Sequence, residues 1–190
     1  MQTLDSPATL ANLTAGERLL VLAAHRRAEQ LLESGAPLRE VLAHLTTAVE
    51  ALGIGRTVSS ILILDRDGLL RNGASPNLPA DYLDAIDRLK PDALVGTCAA
   101  AAATGEAVLT PDFTADARWA ELRHLPLSLG FAGAWSQPIK APGGRVLGTF
   151  GTYFRVRREP TVQERETVAM LAGLAAEAIN ASAPYGRLAS

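Results

Sequence analysis

The chain has 190 residues, 48% of them hydrophobic and 20% charged, with a formal net charge of −2. That length suits one domain with a substantial core, and the composition is that of a soluble globular protein. The weak negative balance supplies no field for attracting nucleic acid, and a single cysteine excludes an internal disulfide framework and any site needing several Cys ligands.

Residues 1–14 read as a small, polar lead-in, 15–180 as one domain and 181–190 as a tail. Met1 to Thr14 has no basic region leading into an apolar stretch, so no signal peptide is expected. No apolar run approaches the roughly 18–20 residues of a membrane span. The cytoplasm is the expected compartment.

Thr14 and Glu17 have the spacing of a capping box, which opens a helix running to about Glu33. The next helix, "APLREVLAHLTTAVEALG", carries Leu38, Val41, Leu42, Leu45, Val49 and Leu52 on one face. "VSSILILDRDGLLRNGAS" reads as a β-hairpin turning at Asp65–Gly68. "LPADYLDAIDRL" is a short helix led by Pro79. "CAAAAATG" is another, stopped by Gly105. "EAVLTPDF" is a short strand ended by Pro111, and Asp116 caps one or two helical turns in "DARWAELRHLPLSLG". "FAGAWSQPIKA" and "RVLGTFGTYFRV" are strands joined at Pro142-Gly143-Gly144. "RVRRE", Arg155–Glu159, reads as a solvated strand end. A second capping box, Thr161 to Glu164, opens the final helix. Strands flanked by helices at both ends give an α+β fold with an antiparallel sheet.

The final helix is apolar around most of its circumference, through Val168, Leu171, Leu174, Ala175 and Ile179. The first helix shows the same excess. Such helices are buried on more than one side. Either the two terminal helices cover each other or they meet a second copy. The assembly expected is a parallel homodimer built on Leu19–Leu32 and Val168–Ile179, with Leu174 on the outer stripe.

"VSSILILDRDGLL", "VGTCAAAAATGEAVLTPDFTADARWAELRHLPLSLGFAGAWSQPI" and "GGRVLGTFGTYF" resemble the GAF domain, of the type found in bacterial sensor kinases and stand-alone GAF proteins. The resemblance covers roughly Leu38 to Asn180, in several segments in the right order. It implies a GAF/PAS-like central antiparallel sheet of five to six strands. The terminal helices would pack on one face, with a helical insertion and a small-molecule pocket on the other. It places Gly96–Ala134 at that pocket, whose candidate residues are Thr97, Cys98, Asp112, Trp119 and Trp135.

Cys98 reads as a small buried thiol at a helix start, since no histidine stands near it in sequence to activate it. Relatives that reduce free methionine sulfoxide use several cysteines, and pigment-carrying relatives attach at a Cys usually followed by His, where this chain has Ala99. Asp116 reads as an N-cap and Asp112 as a turn residue with Arg118 as a possible ion partner. Trp119 reads as core, and Trp135 as either core or a ligand contact. His124 is the one candidate axial haem ligand and reads as solvent-exposed. No metal site is expected, and no cofactor is identified.

The function expected is a sensory and regulatory domain without catalysis of its own. It would bind an unidentified small organic molecule or anion and act on a histidine kinase or another signalling partner. The alternatives are a thiol enzyme resembling free methionine sulfoxide reductase and using Cys98, and a dimerisation module with a closed pocket.

Overall fold

The computed structural model describes residues 13–53 and 56–182, so most of the lead-in and tail lie outside the described residues. The elements follow the expected order. Helices α1 (Ala15–Glu33) and α2 (Leu38–Leu52) precede a hairpin of β1 (Thr57–Leu64) and β2 (Leu70–Ala74). Helices α3 (Ala80–Ala85) and α4 (Cys98–Thr104), strand β3 (Val108–Thr110), a 3-10 turn at Ala117–Trp119 and α5 (His124–Ser128) form the insertion. Strands β4 (Gly133–Lys140) and β5 (Val146–Phe154) and helix α6 (Val162–Ser182) complete the domain.

The five strands form one sheet in the order β2-β1-β5-β4-β3. Every neighbouring pair is antiparallel. Both capping boxes form: the Thr14 hydroxyl accepts from the Glu17 N–H, and the Thr161 hydroxyl from that of Glu164. Gly105 stops α4 with φ +68°, a left-handed conformation that favours glycine.

One face of the sheet is covered by α2 and α6, and α1 packs on those two helices as an outer layer. Val21, Ala24, Ala28 and Leu31 of α1 are buried there. This layering explains the circumference of α6, which is enclosed by the sheet on one side and by α1 and α2 on the other. Leu171 and Ala175 have no exposed surface, and Leu174 is 5% exposed. Burying one such leucine contributes about 1.5–3 kcal/mol.

The apolar stripe of α6 is therefore covered within the chain, and Leu174 does not lie on an outer stripe. The uncovered area from which the dimer interface was expected is absent on this helix. On α1, Leu19 and Leu20 do point outward, 69% and 52% exposed.

Glu50 of α2 is buried and braces two other elements. One carboxylate oxygen accepts the Ser59 N–H of β1 at 2.7 Å, and the other accepts from the Asn77 amide in the loop before α3.

Candidate functional site

The insertion closes the other face of the sheet. Its core joins Leu62, Leu70, Tyr82, Cys98, Phe113, Trp119, Phe131 and Tyr153. Alternation along the strands sends Ser60, Ser136 and Thr149 to the same side as Leu62, Ala134 and Tyr153. Helix α4 lies over them through alanines, whose small side chains bring its backbone close to the sheet.

Cys98, the first residue of α4, sits 3.1 Å from the Ser136 hydroxyl, which in turn donates to the Thr97 hydroxyl at 3.0 Å. A Cβ on Gly151 would lie 3.0 Å from Ser60 Oγ and 3.1 Å from Cys98 Sγ, so glycine at this position leaves room for the thiol. The Tyr82 hydroxyl donates to that of Tyr153 at 3.1 Å and ties α3 to β5. The result is a buried layer of hydroxyls and one thiol between α4 and the sheet. Within it Thr149 Oγ1 neighbours the Cys98 thiol and Ser60 Oγ the Tyr153 phenol, neither in full hydrogen-bond geometry.

Burial raises the pKa of Cys98, and the neighbouring hydroxyls, Ser136 foremost, act in the opposite sense without cancelling it. The thiol is thus held protonated and poorly nucleophilic. Burial likewise raises Tyr82 and Tyr153, so both phenols stay neutral.

The five candidate residues do not form one site. Thr97 and Cys98 meet in the buried layer. Trp119 joins the same side as core: its ring centre lies 4.5 Å from that of Phe113, and its indole donates to Thr110. Asp112 stands in the turn after β3, where it accepts from Thr114 and pairs with Arg157 at 3.0 Å. The Thr114 hydrogen bonds, with Arg157 as a smaller influence, hold its carboxyl below the usual range.

Arg118 pairs with Asp116, not Asp112. Burial works to raise Asp116, but Arg118 and the Thr110 hydroxyl outweigh it and the net shift is downward. Trp135 lies on the opposite face of the sheet, in the core formed with α2 and α6. A pocket uniting it with Thr97, Cys98 and Trp119 is therefore not formed. His124 is exposed.

Ser60, Ser136, Thr149, Tyr82 and Tyr153 escaped the sequence reading. For Ser60, Ser136, Thr149 and Tyr153 the signal was polar residues inside otherwise apolar strands, whereas Tyr82 lies on helix α3, where no such pattern marks it. The arginines of "RVRRE" follow β5 and are mostly exposed, as expected of a solvated strand end, but each also has a partner that the sequence did not show. Arg155 donates to Leu129 O and lies over the Phe131 ring, Arg157 holds Asp112, and Arg158 grips Glu164 at the start of α6. Among the described residues no group of three or more acidic, His or Cys side chains is placed to hold a metal. None of the described helices is long and apolar enough to cross a membrane.

Comparison with known proteins bears on this geometry. The methyl sulfide methyltransferase-associated sensor of Methanosarcina acetivorans is 35% identical over 167 residues, 86% of this chain. The chain spans 16% of that protein's length. Free methionine-R-sulfoxide reductase of Neisseria meningitidis superposes with a TM-score of 0.67 at 16% identity, over 90% of this chain and 94% of that one. The GAF domain of an Acinetobacter phosphoenolpyruvate-protein phosphotransferase superposes at 0.64 with 16% identity, over 85% and 93% of the two chains. At such identities these two structures show a shared fold. The family model described as GAF domain matches residues 35–180, which hold the sheet, the insertion and α6, and on that match the chain belongs to the GAF domain family.

Proposed function

We propose that this GAF domain is a sensory module without catalysis of its own, binding a small organic molecule or anion in the buried layer between α4 and the sheet. The supporting observation is the convergence of the Ser60, Thr97, Ser136 and Thr149 hydroxyls with the Cys98 thiol in one buried layer, where Ser60 and Thr149 lack a partner in full hydrogen-bond geometry. Buried polar groups ordinarily have partners, and a ligand seated under α4 supplies them. The sensor relative from Methanosarcina supports the sensory class. The bound state acts on a histidine kinase or other signalling partner in the cytoplasm, and the domain works as a homodimer.

The thiol-enzyme alternative is weaker, because a reductase needs a reactive thiolate and burial holds Cys98 protonated. The chain has one cysteine, so no second one within it can resolve an oxidised Cys98. The closed dimerisation module draws on a different observation, the exposed Leu19 and Leu20 of α1.

Thermal-shift screening with metabolites, nucleotides and anions, alongside native mass spectrometry of the purified protein, tests the reading. A ligand at 100 times its Kd stabilises by about 2.7 kcal/mol. Reduction of free methionine sulfoxide that is lost in Cys98→Ser would establish the enzyme instead. A protein that binds nothing yet sediments as a dimer would leave the dimerisation module.

A further inference from the structure

The face covered by α2 and α6 holds a cavity of about 340 Å³, near the start of β1 and the first turns of α1 and α6. Leu13, Val49, Leu52 and Val168 give it an apolar wall. Its sheet side is polar. Thr57, Trp135 and Thr152 line it, and Ser59 pairs with Thr152, which in turn pairs with Trp135 across the strands.

Each of these four residues is at most 4% exposed. Each also carries a buried polar atom without a partner: Thr57 Oγ1, Ser59 Oγ, Thr152 Oγ1 and Trp135 Nε1. Such atoms are rare singly, and here three belong to residues lining the cavity, Thr57, Thr152 and Trp135, with Ser59 adjoining them on the same face of the sheet. The indole N–H can only donate, so its missing partner is an acceptor.

Glu17 and Glu164 stand at the rim, each closing a capping box at a helix N-terminus. The positive ends of both helices are thus already matched by carboxylates, that of Glu164 being paired with Arg158 as well, so neither helix N-terminus is left to hold an anion. The hydroxyls and indole beside an apolar wall suit an uncharged molecule with an apolar body.

We propose that this cavity is a second binding site, for a neutral amphipathic small molecule that presents an acceptor such as an amide oxygen or ring nitrogen to the row of Thr57, Thr152 and Trp135. It lies on the opposite side of the sheet from the α4 layer and stands whether or not that layer binds anything.

Nuclear magnetic resonance of the full chain, read at the indole N–H signals of its two tryptophans, tests this. Trp135→Phe assigns the signals, and Trp119 reports on the insertion side. The probes are benzamide, benzoate and toluene, which share a ring and differ in charge and acceptor. Benzamide is expected to move the Trp135 signal in a saturable way and leave Trp119 in place. Benzoate and toluene are expected to bind at least about tenfold more weakly, and Thr152→Val, which keeps shape and removes a hydroxyl, to weaken benzamide. A response of Trp119 in place of Trp135 would overturn the proposal, as would equal binding of benzoate. So would a Trp135 signal unmoved by all three probes at millimolar concentration, which would leave the cavity to water alone.

Discussion

The face of the sheet under α2 and α6 is closed by helices of 15 and 21 residues, whereas the opposite face is closed by helices of five to seven residues joined by turns. The long helices bring continuous apolar rows to the sheet, with α1 sealing them from outside. The short ones bring one or two side chains each, and these include aromatic rings, hydroxyls and the thiol. A face assembled from short elements opens locally at lower cost than one clamped by long helices. Stability concentrates on the first face and adaptability on the second.

The largest expected break in this contrast comes from Leu171→Ala on α6, where the side chain has no exposed surface. It should cost about 2–5 kcal/mol in urea denaturation. A loss below about 1 kcal/mol, well under the range for buried leucines, would mean that the helix face does not carry the stability assigned to it.

Gly151→Ala probes the other face. Its new Cβ crowds Ser60 and Cys98, so a loss of about 1–3 kcal/mol is expected, together with loss of any ligand held under α4. A gain in stability would reveal spare volume in that layer.

The third test is alkaline pH. Cys98, Tyr82 and Tyr153 all have pKa values raised by burial in the folded protein. Their stabilising contribution is full below the unfolded pKa values. It declines as pH rises past about 8.5 for the thiol and 10 for the phenols, because the unfolded chain then releases protons that the folded chain retains. Urea midpoints from pH 7 to 11 should fall along that course, and Cys98→Ser should remove its first part while folding like the parent. Iodoacetamide should modify Cys98 readily only after unfolding.

The smallest effect is expected from Thr14→Ala, which removes the capping box of α1 and costs about 1 kcal/mol. A much larger loss would show that the first turn of α1 holds more of the helix face together than its cap alone.

Much of the element order was legible because local chemistry decides it. Capping boxes, the 3-and-4 spacing of α2 and the left-handed stop at Gly105 depend on residues close in sequence. The face taken by Trp135 was not legible. Trp135 and its neighbours Ala134 and Ser136 are all buried, so no polar alternation marks inside from outside, and one step of register exchanges the faces.

The same limit hid the partners of Arg155, Arg157 and Arg158. Those partners are Leu129, Phe131, Asp112 and Glu164, which only the fold brings together. For α6, the sequence showed an excess of apolar surface, but only the layering of α1 over α2 and α6 reveals that the chain itself covers it.

Glu50 gives this sheet a fastening near the start of β1. Its two oxygens hold Ser59 of β1 and Asn77 of the loop entering α3, while its backbone belongs to α2. One buried carboxylate thus fastens a helix, a strand and a loop at a single point, and removing it would release donors on two separate elements at once.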